Sequence, residues 1–461
     1  MKKYLILTAF ISVSFCFTSK AQQSLALLQE NIYSTNYNPG KPSLYKWHAG
    51  IPLLSNFNIL INENLFTYKK LIVSTDTSKI INPRGLLNNL KRQSSLQIHL
   101  NEEIIGFGFR IKEKSYVSFS TRLRSESYVF FPNELMKMFI EGNAEYIGEN
   151  VQSKPSVYHS SYLEIGVAYQ YTLNKNYTFG LRPKLLFGIS NIHTTQSEIN
   201  FLTTQDWSIL ANGKIQANTY LPLDTDFNFQ QEAFIAGLFK NVGMAFDLGT
   251  TIKLPYDLGI AVGITDLGFI KWKNAELTQR ASFQTNDTGS FAADGNIYFN
   301  GLKITMQELV NGEFDDATSF LDSLNQDDFF TASYQSIAAY TSSVYPKVYI
   351  EAFYKLSKFR FSVLSRTDFV GKRIIPSFTF GCSGYFGNIV ELALSYSIYN
   401  RTYSNVGFGF HFHFGPVQWY CSFDNFIAPF IPLRLNNFSL QSGLYLGIRP
   451  KKEKKVRSSE M

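Results

Sequence analysis

Two stretches near the C-terminus show the hydrophobic pattern most plainly. Val390, Leu392, Leu394, Tyr396 and Ile398 fall on one face, with Glu391, Ala393, Ser395 and Ser397 on the other. Val406, Phe408, Phe410, Phe412 and Phe414 then alternate with Gly407, Gly409, His411 and His413. Successive strand side chains point to opposite faces, so each run predicts a strand with one apolar face and one small or polar face. The alternation recurs along the chain. Leu163, Ile165, Val167, Tyr169 and Tyr171 oppose Glu164, Gly166, Ala168, Gln170 and Thr172. Val117, Phe119 and Leu123 oppose Ser118, Ser120, Arg122 and Arg124. Phe359, Phe361 and Val363 oppose Arg360, Ser362 and Leu364, where Leu364 breaks the rule. These runs are about as long as the 9–11 residues with which a tilted strand crosses a bilayer. Tight turns at Asn174-Lys175-Asn176, Leu254-Pro255-Tyr256-Asp257 and Ser357-Lys358 alternate with long connections. The pattern predicts an all-β fold, a transmembrane antiparallel β-barrel of about 14 strands, with 16 as the alternative because single-chain bacterial barrels have even numbers.

Four regions depart from it. Residues 22–45 are polar and turn-rich, with Asn38-Pro39-Gly40 and Lys41-Pro42 as breakers, and are expected as a periplasmic or lumen-inserted leader. The first strand is expected from Trp47 to Ile61, followed by a long connection ending near Arg92. Pro132 opens a short amphipathic helix, Asn133 to Glu141, at a position where a helix start tolerates proline. Residues 275–345 form the longest non-strand region, with helical spacing and five carboxylates between Met306 and Leu324. That is too much chain for a turn, and it is expected as a large external loop or a lumen plug. The organisation expected is a leader peptide (1–21), the hatch-like segment (22–45), the barrel (46–450) and a basic tail (451–461).

Composition sharpens this picture. The opening MKKYLILTAFISVSFCFTSKAQQ has a basic start, an apolar run from Leu5 to Phe17 and small residues at Ser19 and Ala21, the form of a secretory signal peptide cut before Gln22. No later stretch offers the 18 or so consecutive apolar residues of a helical span. Aromatic residues make up 16% of the chain, with 27 Tyr and 42 Phe, as a lipid-facing belt with interfacial girdles requires. The net charge of +7 is concentrated at the ends: +3 in the leader and +3 after Pro450, leaving +1 for the rest. The basic balance therefore argues for no nucleic-acid partner, and the tail suits water, anionic lipid or peptidoglycan. Cys382 and Cys421, the two cysteines after the leader, sit in separate strands without metal-ligand spacing, and their pairing is left open.

The polar faces hold the candidate chemistry. Arg122, Arg124, Glu164, Arg360, Glu391, His411 and His413 are the candidate lumen-lining residues. Opposite charges there either pair across the lumen and close it, or filter solutes. His411 and His413 share a face, but a metal needs a third ligand, and none stands nearby in sequence. The acidic residues of 308–328 lack the spacing of a calcium loop. Gly106–Phe109 and Gly407–Phe410 are strand sequences, not phosphate loops. There is no GxSxG, HExxH or triad order, so no catalytic, cofactor or metal residue is assigned and no enzyme is expected.

Three stretches carry a family likeness. They are Tyr37-Asn38-Pro39 with His48 to Ser55; Val242 to Gly249 with Thr265-Asp266-Leu267-Gly268-Phe269-Ile270-Lys271-Trp272; and Tyr396 to Ser404 with Ser422 to Asn425 and Ala428 to Pro432. Together they resemble an uncharacterised family of Bacteroidota outer-membrane barrels, distantly similar to FadL-type fatty-acid transporters. The resemblance implies 14 strands, an N-terminal hatch in the lumen and a hydrophobic solute. Asn38 and Pro39 resemble the hatch turn of such proteins, with Gly40 where they carry Ala. The expected function is a channel or transporter in the bacterial outer membrane for a small, hydrophobic solute. The alternative is a non-transporting barrel that anchors an envelope, secretion or gliding complex. Expected partners are outer-membrane lipid, the solute and envelope proteins.

Overall fold

The computed structural model describes residues 24–64, 72–74, 79–81, 94–142, 144–205, 209–222, 230–273, 278–285, 330–387, 389–400, 402–425 and 437–450. The leader peptide, the basic tail and the helical pattern of 306–324 lie outside the described residues. A closed antiparallel barrel of 14 strands forms the body. Its staves are β1 (Trp47–Gly50, continued by Phe57–Glu63), β2 (Ser94–Lys112), β3 (Ser115–Phe131), β4 (Ser156–Thr172), β5 (Tyr177–Thr203), β6 (Val242–Lys253) and β7 (Leu258–Trp272). There follow β8 (Tyr340–Val344, continued by Lys347–Leu356), β9 (Phe359–Val370), β10 (Arg373–Phe386), β11 (Val390–Tyr399), β12 (Thr402–Phe414), β13 (Val417–Phe423) and β14 (Asn437–Ile448). β1 closes the barrel: Trp47 is in register with Ile448 on β14 and with Phe109 on β2. The expected single first strand is broken at 51–56. Pro52 has no N–H for the ladder, and Leu53 takes a positive φ of 62°.

The two ends of the barrel differ. Six connections of two to four residues lie at the end where β1 starts and β14 finishes, and most long connections lie at the other. β5, at 27 residues, runs past the barrel rim at the long-loop end. Its distal half pairs with Ile209–Tyr220, which pairs with Thr278–Thr285 and then Phe330–Ser336. Part of 275–345 is thus strand, because the sheet continues beyond the rim. The short helix at Asn133–Glu141 stands where its proline-led amphipathic pattern predicts it. Among the described residues no helix is long and apolar enough to cross a membrane.

Outside and inside follow the alternation. Phe107, Val167, Phe179, Met244, Phe246, Phe269, Ile350, Phe361, Phe380 and Leu394 are exposed on successive staves, forming an apolar belt around the barrel. Such a surface is stable only against lipid or a partner. The inward residues are mostly polar and buried. Leu364 and Ala393 are inward exceptions, and both belong to an apolar cluster with Leu25, Leu27, Leu28, Ile32, Tyr33 and Tyr37. The N-terminal segment is therefore packed inside the barrel.

Candidate functional site

Residues 24–45 cross the lumen as a plug. The Ser24 backbone N and Oγ both donate to Asp424 Oδ1 at 2.7 Å, and Ser24 Oγ also meets Ser395 Oγ at 2.8 Å. A short helix, Ser24–Leu27, packs on β10–β13, where a Cβ on Gly381 would collide with Leu27. The N–H groups of Gln29 and Glu30 donate to the Glu391 carboxylate at 2.6 and 3.2 Å. The chain then turns across the barrel. Tyr33 packs tilted against Tyr420 and edge-on to Tyr445, and donates its hydroxyl to Glu103 at 3.0 Å. Burial, with Glu103 beside it, holds the Tyr33 phenol well above its usual range. Tyr37 donates to Gln441 Oε1 at 2.6 Å, and burial raises its phenol likewise.

The Asn38-Pro39-Gly40 turn reaches the opposite wall and sits on a row of glycines. Gly180, Gly249 and Gly263 are register neighbours on β5, β6 and β7. A Cβ on Gly180 would lie 2.5 Å from Gly40 N, and one on Gly249 would lie 2.8 Å from Gly40 N and from Pro39 Cδ. A Cβ on Gly40 would stand 2.5 Å from the Gly249 carbonyl carbon. Two backbones meet there with no room for side chains, as glycine permits. Asn38 Nδ2 donates to the Thr250 carbonyl at 3.0 Å, and Gln170 Nε2 to the Pro39 carbonyl at 3.0 Å. Lys41 turns back and donates to the carbonyls of Ala26 and Leu28 at 2.9 and 3.0 Å, tying the two arms of the plug. Burial, with Arg360 nearby, pushes the Lys41 ammonium down to about 8.

Beside the plug the wall carries a charge cluster. Asp266 accepts from Arg124 at 2.7 and 2.9 Å, from Lys184 at 2.6 Å and from Lys347 at 3.2 Å. Glu164 pairs with Arg122, with Arg124 at 3.0 Å and with Lys184 at 3.6 Å. Glu126 pairs with Arg124 and Lys347, and Asp247 with Lys184 and Arg182. A register shift at Asp247 lets Thr265 and Asp266 both point inward, and Asp266 has a positive φ of 62°. The bulge thus adds a second inward side chain, the Asp266 carboxylate, where strict alternation would allow one.

The predicted residues fall into three groups. Arg122, Arg124 and Glu164 meet in the charge cluster. Arg360 is buried with Glu351 at 2.7 Å, apart from them. Glu391, His411 and His413 lie on the opposite wall. Glu391 holds the plug backbone. His411 Nε2 meets Tyr445 Oη at 3.0 Å, and His413 lies 3.2 Å from Glu30, which Arg449 also pairs. Asn38 and Pro39 form the seated turn described above. The two His rings are 4.1 Å apart, and among the described residues no group of three or more metal-type ligands forms. Cys382 and Cys421 are both free. Lys184, Asp247, Asp266, Lys347 and Glu126 were not singled out from the sequence. Arg182, Lys184 and Asp247 alternate with apolar neighbours, so their inward direction was readable; Asp266 was hidden by the bulge.

A family model described as a family of unknown function, DUF5723, matches residues 39–424. No curated protein matches the chain. Solved structures with similar coordinates include a TodX deltaS2S3 mutant monoaromatic hydrocarbon channel, at 8% identity over 94% of this chain and 96% of that one, with a TM-score of 0.42. The P. putida toluene transporter TodX aligns at 8% identity over 93% of each chain with a TM-score of 0.37. A Pseudomonas aeruginosa FadL homologue aligns at 8% over 93% and 94% with a TM-score of 0.38.

Proposed function

We propose that this chain, which belongs to DUF5723, is an outer-membrane channel or transporter for a small solute, held shut by its own residues 24–45. One observation carries the reading: the plug contributes no strand to the barrel. It is held by side-chain hydrogen bonds, a tyrosine cluster and a glycine seat, so it can leave without opening a single ladder of the wall. The apolar belt supports a bilayer setting, and the leader sequence supports export to the outer membrane. The sequence likeness supports a Bacteroidota envelope. The lumen lining is charged and amide-rich, which favours a polar solute over a hydrophobic one. No catalytic arrangement enters the reading.

Planar-bilayer recording of the full chain and of a variant lacking 24–45 tests the proposal. The full chain should conduct rarely and the deletion variant steadily. A deletion variant that still shows the heat-dependent gel migration of a folded barrel, yet never conducts, overturns it. The density of ion pairs across the lumen favours a second reading in that event, a closed barrel that scaffolds an envelope complex, and co-purification of the intact chain with envelope proteins would then be its test.

A further inference from the structure

The rim at the short-turn end is basic. Four of its six short connections carry or adjoin exposed lysines: Lys112 and Lys114 at β2–β3, Lys175 at β4–β5, Lys253 at β6–β7, and Lys355 and Lys358 at β8–β9. The acids among these turns are Glu113 and Asp257, both exposed. Inside the lumen Lys184 and Lys347 each pair with two or more carboxylates, whereas none of the six rim lysines pairs with one among the described residues. Charge is segregated here. The four turns carry a net +4 while residues 22–450 as a whole carry +1, so the rest of that span sums to −3. The other two turns, β10–β11 and β12–β13, have no lysine, and it is on their arc that β14 finishes and the basic tail, a further +3, follows it.

The apolar belt runs right up to these lysines. Ile111 and Leu356 are the last outward residues of β2 and β8, and Leu173 and Leu254 directly follow β4 and β6; all four are exposed, and each stands within two residues of a lysine. Tyr256, at the tip of the β6–β7 turn, is 88% exposed. The Lys358 ammonium lies over the rings of Phe359 and Phe386, at 5.5 and 5.1 Å, so its stem rests on the edge of the belt. A strand advances about 3.3 Å per residue, which places each lysine backbone no more than about 7 Å beyond the last belt residue. The polar layer of a bilayer is about 5–7 Å deep on each side. The ammonium groups therefore stand among headgroups, and a soluble acidic protein would have to reach into that layer to meet them. We propose that this ring binds anionic phospholipid headgroups in the leaflet at the short-turn end. A zwitterionic headgroup answers its own phosphate; an anionic one leaves a net charge for the lysine. The inference rests on the bilayer setting of the reading above and not on the channel.

The test is electron paramagnetic resonance on the full chain in phosphatidylcholine vesicles, with a trace of acyl-spin-labelled phosphatidylglycerol or phosphatidylcholine. The motionally restricted fraction of each label gives its association with the barrel. A lysine near an anionic surface favours association about fivefold, so over the whole lipid shell phosphatidylglycerol should exceed phosphatidylcholine about twofold or more. Salt at about 1 M should remove most of that excess. Changing all six lysines to Gln should bring the two labels to parity, whereas Lys240→Gln, Lys271→Gln and Lys273→Gln together, at the other rim, should leave the preference in place. If the sixfold variant does not fold, Lys112→Gln, Lys114→Gln and Lys175→Gln as one set, and the remaining three as another, should each remove about half of the excess. Equal association in the wild type, an undiminished preference in a folded sixfold variant, or its loss in the control at the other rim overturns the proposal. So does equal association joined to polyglutamate binding that needs the six lysines, which makes the ring a site for an acidic protein. A chain that restricts neither label removes the bilayer setting itself; one that restricts both equally removes only the headgroup site.

Discussion

Gly249→Ala should unseat the plug. The new methyl would lie 2.8 Å from Gly40 N and from Pro39 Cδ, and closer to the Asn38 side chain. Carbon contacts are comfortable only from about 3.5 Å. The wall cannot yield easily, because β6 is held on both sides by β5 and β7. The turn must therefore withdraw by roughly 0.7 Å or more. That stretches the Asn38–Thr250 and Gln170–Pro39 hydrogen bonds, both now 3.0 Å, past the length at which they count. Losing two buried bonds, with their groups left dry, costs about 2–4 kcal/mol. Each 1.4 kcal/mol is about a factor of ten, so the unseated fraction should rise by roughly 30- to 1,000-fold. Single-channel open probability reads this directly. Gly40→Ala attacks the same contact from the plug side and should give a similar rise, and the two together should add less than their sum. Gly166→Ala is the control: its nearest neighbour, Arg182 Cδ, is 3.4 Å away, an ordinary contact. A folded Gly249→Ala barrel with wild-type open probability would refute the glycine seat as the plug's anchor.

Asp266→Asn keeps a residue type that tolerates the positive φ but removes the charge shared by Arg124, Lys184 and Lys347. Breaking buried pairs in this way costs about 3–5 kcal/mol, so the temperature at which the folded gel band converts should fall; an unchanged temperature counts against the cluster as a structural weld. Lys41 binds its proton less tightly in the seated plug, at about 8, than free lysine does near 10.5. Seating therefore releases a proton in that window and strengthens as pH rises from 8 towards 10.5. Open probability should fall across the same window, by at most tenfold per pH unit. Lys41→Met should abolish the dependence, and a rise in its place would reverse the sign of the argument. Phe380→Arg, placed in the middle of the apolar belt, should cost about 2–4 kcal/mol if that face meets the bilayer core. Urea titration of the barrel folded in vesicles measures it, and an unchanged midpoint would remove lipid from that face.

The staves were legible because an apolar outer face and a polar lumen impose a period of two that the sequence cannot avoid writing down. Strand pairing then follows from order alone, since each stave lies beside its neighbours in the chain. The break in β1 carried a local sign in Pro52. The extension of β5 did not: its distal half pairs with strands beyond the barrel rim, where its exposed residues, Thr195, Gln196 and Glu198, are polar. The charge cluster was partly legible. Inward direction could be read for Arg122, Arg124 and Glu164, but which acid answers which base depends on staves far apart in sequence, as with Arg124 and Asp266.

The plug was the least legible part, and the reason lies in what it touches. A segment of about 20 residues whose helical pieces, Ser24–Leu27 and Ile32–Asn36, are each little more than a turn has no period to detect. Its trace is on the wall instead. Leu364 breaks the alternation of β9, and Ala393 shortens the inward face of β11, because both face apolar plug residues rather than water. Gly180, Gly249 and Gly263 look like isolated strand glycines until register aligns them into one bare strip under the Asn38-Pro39-Gly40 turn. In a barrel whose lumen is only polar, inward positions would be free to carry Ser, Thr, Asn or charges. Inward leucine, and glycines in a row across three neighbouring staves, are deviations that a seated segment explains and an open pore does not. The exceptions to the alternation therefore record the plug more faithfully than the plug's own sequence does.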